Sequence, residues 1–156
     1  MADSSTEFRL ENQYQQLLQL IRGLDDGFIS KQHRPEKWSI KENLAHLGRY
    51  QEIFLERIDR ILVEDQPAFG RYKADNDPEF AKWRMLETSL ITDKTIQGRA
   101  EIVAKLEGLS LDSLERQGHH PKLGLMTIFG WIEFFLLHES HHIYTVFWLV
   151  NEFRNT

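Results

Sequence analysis

Apolar positions in this chain recur at intervals of three and four residues, the period of helices with one buried face, and almost nowhere alternate as strands require. Phe8, Leu10, Tyr14, Leu17, Leu18 and Ile21 predict a first helix from a Thr6 cap to Leu20 or Arg22, stopped at Gly23, and the Pro-containing stretch from Gly27 to Lys37 reads as a loop. The sharpest start signal comes next. Ser39 followed by Glu42 is a capping box, with Trp38 placed to staple the first turns, so a second helix begins at Ser39 or Ile40. Its stripe is Ile40, Leu44, Leu47, Phe54, Ile58 and Ile61, with His46 at the stripe's edge and Tyr50 one turn on.

Asp65 to Asp77 has Pro, Gly and Asn at close intervals and no period, which predicts a long crossover. Asp77-Pro78-Glu79 then reads as an N-cap, a Pro at the first helical position and an acid in the first turn, opening a helical stretch through Phe80, Trp83, Met85 and Leu86. Thr92 or Asp93 can recap a further helix ending near Leu106 or Glu107, with Ile96, Ala100, Val103 and Leu106 as its buried face. Ser110 caps a short turn, Gln117 to Gly124 reads as a loop, and a last helix runs from about Met126 to Phe153. That helix is apolar almost all round, as expected of a central or dimer-facing element. No strand is predicted, and the pattern as a whole is all-α.

Inside the last helix's apolar run stand His138, His141 and His142. His138 and His142 are four positions apart and so share a face, where two imidazoles can grip one ion. Two histidines underfill a transition metal's coordination sphere, and His46 is the best candidate for a third ligand. His141 lies about 100° round the helix from His142, which suits a neighbouring hydrogen bond or an interface better than a metal. Glu139 can accept a ligand imidazole's second N–H or sit in solvent, and the solvated reading is the stronger. Tyr50 can donate to a metal-bound group or simply close the stripe's edge. His119 and His120 read as exposed loop residues, and Arg71, Tyr72 and Lys73 as crossover residues either solvated or covering the site and binding an anionic substrate.

Composition narrows the chemistry. The net charge is -5, with Lys and Arg dispersed, which argues against a nucleic-acid partner. The absence of cysteine removes disulfides, thiolate ligands and a Cys nucleophile. No run reaches the ~18 apolar residues of a membrane span, and the polar N-terminus does not read as a secretory signal, so a cytoplasmic protein is expected. At 156 residues the chain is expected to form one domain, 1–156.

Taken in order, Trp38-Ser39-Ile40-Lys41-Glu42-Asn43-Leu44-Ala45-His46-Leu47, the His120-Pro121-Lys122-Leu123-Gly124 loop and His138-Glu139-Ser140-His141-His142 resemble the DinB-like superfamily, also called the YfiT-like metalloprotein bundle. The resemblance implies a four-helix bundle with a long crossover between helices two and three. It also implies frequent dimers and a divalent metal such as zinc or nickel on three histidines, which by position are His46, His138 and His142. Thr145 stands where many members have Gln, so it is a pocket candidate beside His141, Glu139 and Tyr50. Some members use a low-molecular-weight thiol such as bacillithiol or mycothiol in S-transfer. The expected function is therefore metal-activated thiol transfer to a small electrophile, with a metal-dependent hydrolase and a non-catalytic metal-binding or stress-linked bundle as alternatives. No catalytic residue is assigned beyond the ligands.

Overall fold

The computed structural model describes residues 4–154 and is mostly helical. The N-terminal helical arm is α1, Ser4–Asn12, and α2, Tyr14–Ile21, with helical dihedrals continuing through Gln13 (φ -59°, ψ -40°). A short α3, Asp26–Ser30, occupies part of the predicted loop. Asp25 caps it by accepting from the Phe28 amide, a local signal that the Pro further on obscures. The 24-residue α4, Ile40–Val63, starts at the predicted capping box. There the Glu42 amide donates to Ser39 Oγ at 3.1 Å and the Ser39 amide to Glu42 Oε2 at 2.8 Å.

Asp77 caps α5, Pro78–Met85, by accepting from the Glu79 amide, and α6 runs Thr88–Glu107. A single turn, α7, Leu111–Leu114, precedes a hairpin of β1, Gln117–His120, and β2, Gly124–Thr127, and α8, Ile128–Phe153, ends the described chain. The N-terminal arm, α4, α6 and α8 make the four-helix bundle, in which α4 packs on α5, α6 and α8, and α2 on α8.

Two sequence expectations are corrected here. Gln117 to Gly124 is not an open loop, because Gln117 pairs with Thr127 and His120 with Gly124 in an antiparallel ladder. Strands of four residues carrying Gly and His show no alternation, and the ladder is held instead by its neighbours. His119 N donates to Pro67 O at 2.8 Å, Phe69 N to His119 O at 3.1 Å, and Gly118 leaves room for Ile61 and Phe69, whose side chains lie 2.8 Å from where a Cβ would stand. The hairpin thus ties the crossover down.

The second correction concerns α6, which begins at Thr88 and buries Thr88, Ile91, Thr95, Arg99, Ile102 and Leu106, while Ile96 and Ala100 face out. A polarity pattern places Arg99 outside. The fold buries it to 2% exposure, paired with Glu139, which is equally buried, and with the Leu10 carbonyl.

The apolar interior is two clusters. One holds Phe54, Ile58, Ile61, Ile102, Trp131 and Phe135; the other holds Leu17, Ile40, Leu44, Leu47, Ile91, Ile143 and Val146. Between them each long helix contributes buried polar side chains: His46 and Gln51 from α4, Thr95 and Arg99 from α6, Glu139 and His142 from α8. The opposite side of α8 exposes Leu137, Tyr144, Phe147 and Trp148. Among the described residues no helix is long and apolar enough to cross a membrane.

Candidate metal centre

His46 faces inward from the second turn of α4, and the i, i+4 spacing of His138 and His142 puts both rings on the α8 face that meets it. One ring nitrogen from each of the three lies within 4.8 Å of the other two. The Nε2 atoms of His46 and His138 are 3.0 Å apart, close to the ~3 Å between two ligands that each stand about 2.1 Å from one ion. Ring centroids are separated by 4.5 to 5.0 Å.

Burial is the main cause, and a neighbouring imidazole's charge the next, that lowers all three histidines from 6.5 to about 3. At neutral pH they are therefore uncharged, with lone pairs available. For His142 the available nitrogen is defined by a chain of hydrogen bonds. Asn43 Nδ2 donates to the Ser39 carbonyl at 2.8 Å, which orients the amide so that its Oδ1 accepts from His142 Nδ1 at 2.8 Å. The proton on Nδ1 leaves the Nε2 lone pair free. Nδ1 of His46 and of His138 have no hydrogen-bond partner among the described residues. Three neutral imidazoles converge here, and the Nε2 atoms of His46 and His138 meet only each other, a donor set that fits a divalent transition metal.

Aromatic rings wall the site. Trp38, expected only to staple α4, stacks on His142 (6.0 Å, 19°) and tilts against His46 and Phe80. Tyr72 from the crossover stacks on His46, and Tyr50 lies 4.1 Å from His138 between ring centroids. Tyr72 Oη donates to Asp77 Oδ2 at 3.0 Å, and Asp77 also receives Arg49 Nε at 2.7 Å, so one carboxylate fastens the crossover to α4 and α5. Burial raises both tyrosine hydroxyls above their ordinary value, for Tyr72 with Asp77's help, and they hold their protons. Outside the imidazoles opens a cavity of about 760 Å³, reaching Arg57, Arg71, Tyr72, Lys73, His120 and Phe134.

The model of the DinB superfamily matches residues 9–146, most of the chain. The chain belongs to the DinB superfamily. A curated relative is an uncharacterized protein, YuaE of Bacillus subtilis (strain 168), 25% identical over 136 residues that span 79% of this chain and 83% of that protein. A solved structure with a similar fold is YfiT from Bacillus subtilis, described as a probable metal-dependent hydrolase with an unusual four-helix bundle topology. It superposes with a TM-score of 0.83 at 19% identity, over 95% of this chain and 85% of that one.

Of the other residues singled out in the sequence of this DinB-superfamily chain, some lie at this site and others elsewhere. Glu139 is neither solvated nor turned to an imidazole; its carboxylate binds Arg99 and accepts Gln13 Nε2 at 2.9 Å on the bundle side of α8. His141 is exposed, its ring 5.2 Å from that of His142, and with Thr145 it lines a second groove of about 520 Å³ that shares Trp38 and His142 with the site. Thr145 Oγ1 donates back to the His141 carbonyl. Tyr50 is at the site, 5% exposed.

His120 corrects the exposed-loop expectation, since it packs on Trp131 and Phe134 at the cavity's edge, whereas His119 is exposed. Asn43 and Arg57 carried no distinguishing signal in the sequence, because their partners are remote in the chain.

Proposed function

We propose that this protein holds a divalent metal ion on His46, His138 and His142 and uses it to hydrolyse a small organic substrate bound in the adjoining cavity. The observation that carries the reading is the convergence of three uncharged, buried or half-buried imidazoles on the wall of a 760 Å³ cavity. When bound, such an ion supplies Lewis acidity, bringing the pKa of a bound water from 15.7 toward about 7 and polarising a carbonyl. The protein's own groups do the rest. Asn43 holds the proton on His142 Nδ1 and keeps that ring in its ligating orientation. Tyr50 keeps its hydroxyl proton beside His138 and can donate one hydrogen bond to a substrate oxygen. Trp38 and Tyr72 cover the imidazoles and limit the access of water. The description of YfiT as a probable metal-dependent hydrolase supports the same reading.

A second reading, transfer of a low-molecular-weight thiol to an electrophile, is favoured by the cavity's size, since 760 Å³ accommodates a cosubstrate beside the acceptor. Elemental analysis of the purified protein should find about one equivalent of metal, and His46→Ala or His142→Ala should lose it. Metal-loaded protein is then assayed on ester and amide panels with and without added thiol. Turnover without thiol supports hydrolysis, turnover only with thiol supports transfer, and full metal retention in both alanine variants overturns the ligand set.

A further inference from the structure

Among the described residues, Arg57 is a buried cation without a counter-ion. It is 8% exposed, and no carboxylate among the described residues lies within ion-pair distance. Its neighbours are neutral: Nη1 donates to Tyr50 Oη at 3.2 Å, Nη2 to the Gly70 carbonyl at 3.3 Å, and its guanidinium carbon lies 5.3 Å from the Trp131 ring centre. A charge withdrawn from water this far, with hydrogen bonds to neutral oxygens only, is costly unless a negative partner joins it. Arg99, the other deeply buried arginine, has its partner in Glu139. Arg57 differs in lining the cavity that opens onto the three histidines.

We infer that Arg57 and Tyr50 form a carboxylate-binding subsite at the flank of this cavity, so that the substrate is a small organic anion with an apolar body. Tyr50 Oη accepts from Arg57, which leaves its own hydrogen to be donated, and the guanidinium and that O–H together give a carboxylate two donors. His120 adds a third at the rim. Its Nδ1 accepts the Lys122 and Leu123 amides at 3.2 and 3.1 Å, so the ring's proton sits on Nε2. One buried positive charge matches one carboxylate, and Trp38, Tyr72 and Phe134 offer the apolar body aromatic walls. Because Tyr50 touches both Arg57 and His138, an anion seated here would direct the rest of the molecule toward the imidazoles. The substrate role rests on the metal-centre reading; the anion site rests on Arg57 and Tyr50 and needs no metal.

The test titrates benzoate, benzamide and inorganic phosphate into the full chain, metal-free and zinc-loaded, following backbone amide and guanidinium NMR signals, with zinc content measured on the same samples. Benzoate should bind saturably in both forms with shifts at Arg57 and Tyr50, and benzamide and phosphate far more weakly. Arg57→Met should weaken benzoate about 10- to 100-fold, the loss expected of a charge-assisted bond, without loss of zinc. Tyr50→Phe, which keeps the ring and serves if the arginine variant does not fold, should weaken it about 3- to 10-fold. Benzoate that binds only zinc-loaded protein and ignores both substitutions sits on the metal and overturns the subsite, and stronger binding of phosphate overturns the carboxylate assignment. Absence of zinc from a wild type that still binds benzoate through Arg57 would overturn the metal reading instead.

Discussion

Replacing Asn43 with Ala removes no proposed ligand, yet it should weaken metal binding. Asn43 is 2% exposed and makes two side-chain hydrogen bonds of 2.8 Å, one from its own amide to the Ser39 carbonyl and one from His142 Nδ1 to its Oδ1. The Ser39 carbonyl keeps the Asn43 backbone amide at 3.1 Å, so it is not orphaned. His142 Nδ1 is left without its acceptor, a penalty of about 1–3 kcal/mol that can be escaped only by moving the proton to Nε2 or turning the ring. Either escape removes the lone pair from the metal position. Loss of such an orienting partner typically costs ~10–100-fold in affinity, or about 1.4–2.7 kcal/mol. Zinc affinity measured by competition with a chromophoric chelator at pH 7.5 should show this loss in Asn43→Ala and little or none in Asn43→Asp, which keeps an acceptor. His142→Ala should lose more than either. A folded Asn43→Ala protein that binds zinc within twofold of wild type would refute the orienting role.

Three further outcomes are expected. The site histidines have folded-state pKa values of about 3 against 6.5 when free, so the unfolded chain binds more protons between those values. The metal-free protein should therefore lose stability as pH falls from 6.5 toward 3, by up to about 1.4 kcal/mol per pH unit per histidine; circular-dichroism melts that do not change between pH 7 and 5 would contradict this. Glu139→Gln leaves Arg99 buried without its counter-charge, at about 3–5 kcal/mol, which should lower Tm by roughly 10 °C in calorimetry. Gly48→Ala places a Cβ 2.3 Å from Trp83 Cζ3 and 3.0 Å from Thr95 Oγ1, and denaturant titration should show a loss of about 1–3 kcal/mol, since α5 and α6 must both move.

Structural features that depend on neighbours within a turn or two are legible along the chain. The start of α4 follows from Ser39 and Glu42, and the start of α5 from Asp77 and Pro78. The shared face of His138 and His142 follows from helical spacing alone. His46 could be nominated because it lies at the edge of a readable stripe. Tertiary structure decided what depends on remote partners. The hairpin exists because Pro67 and Phe69 hold His119 from some fifty residues away, without any strand-like alternation of its own. The buried stripe of α6 turned on Arg99 because Glu139, forty residues on, supplies the charge that makes its burial tolerable. Asn43 meets His142 across 99 positions, and Arg57 is set apart only by the lack, among the described residues, of a carboxylate within ion-pair distance. Periodicity and capping are short-range and can be read along the chain, whereas the pairing of buried polar groups is long-range, and only the packed bundle selects the partners.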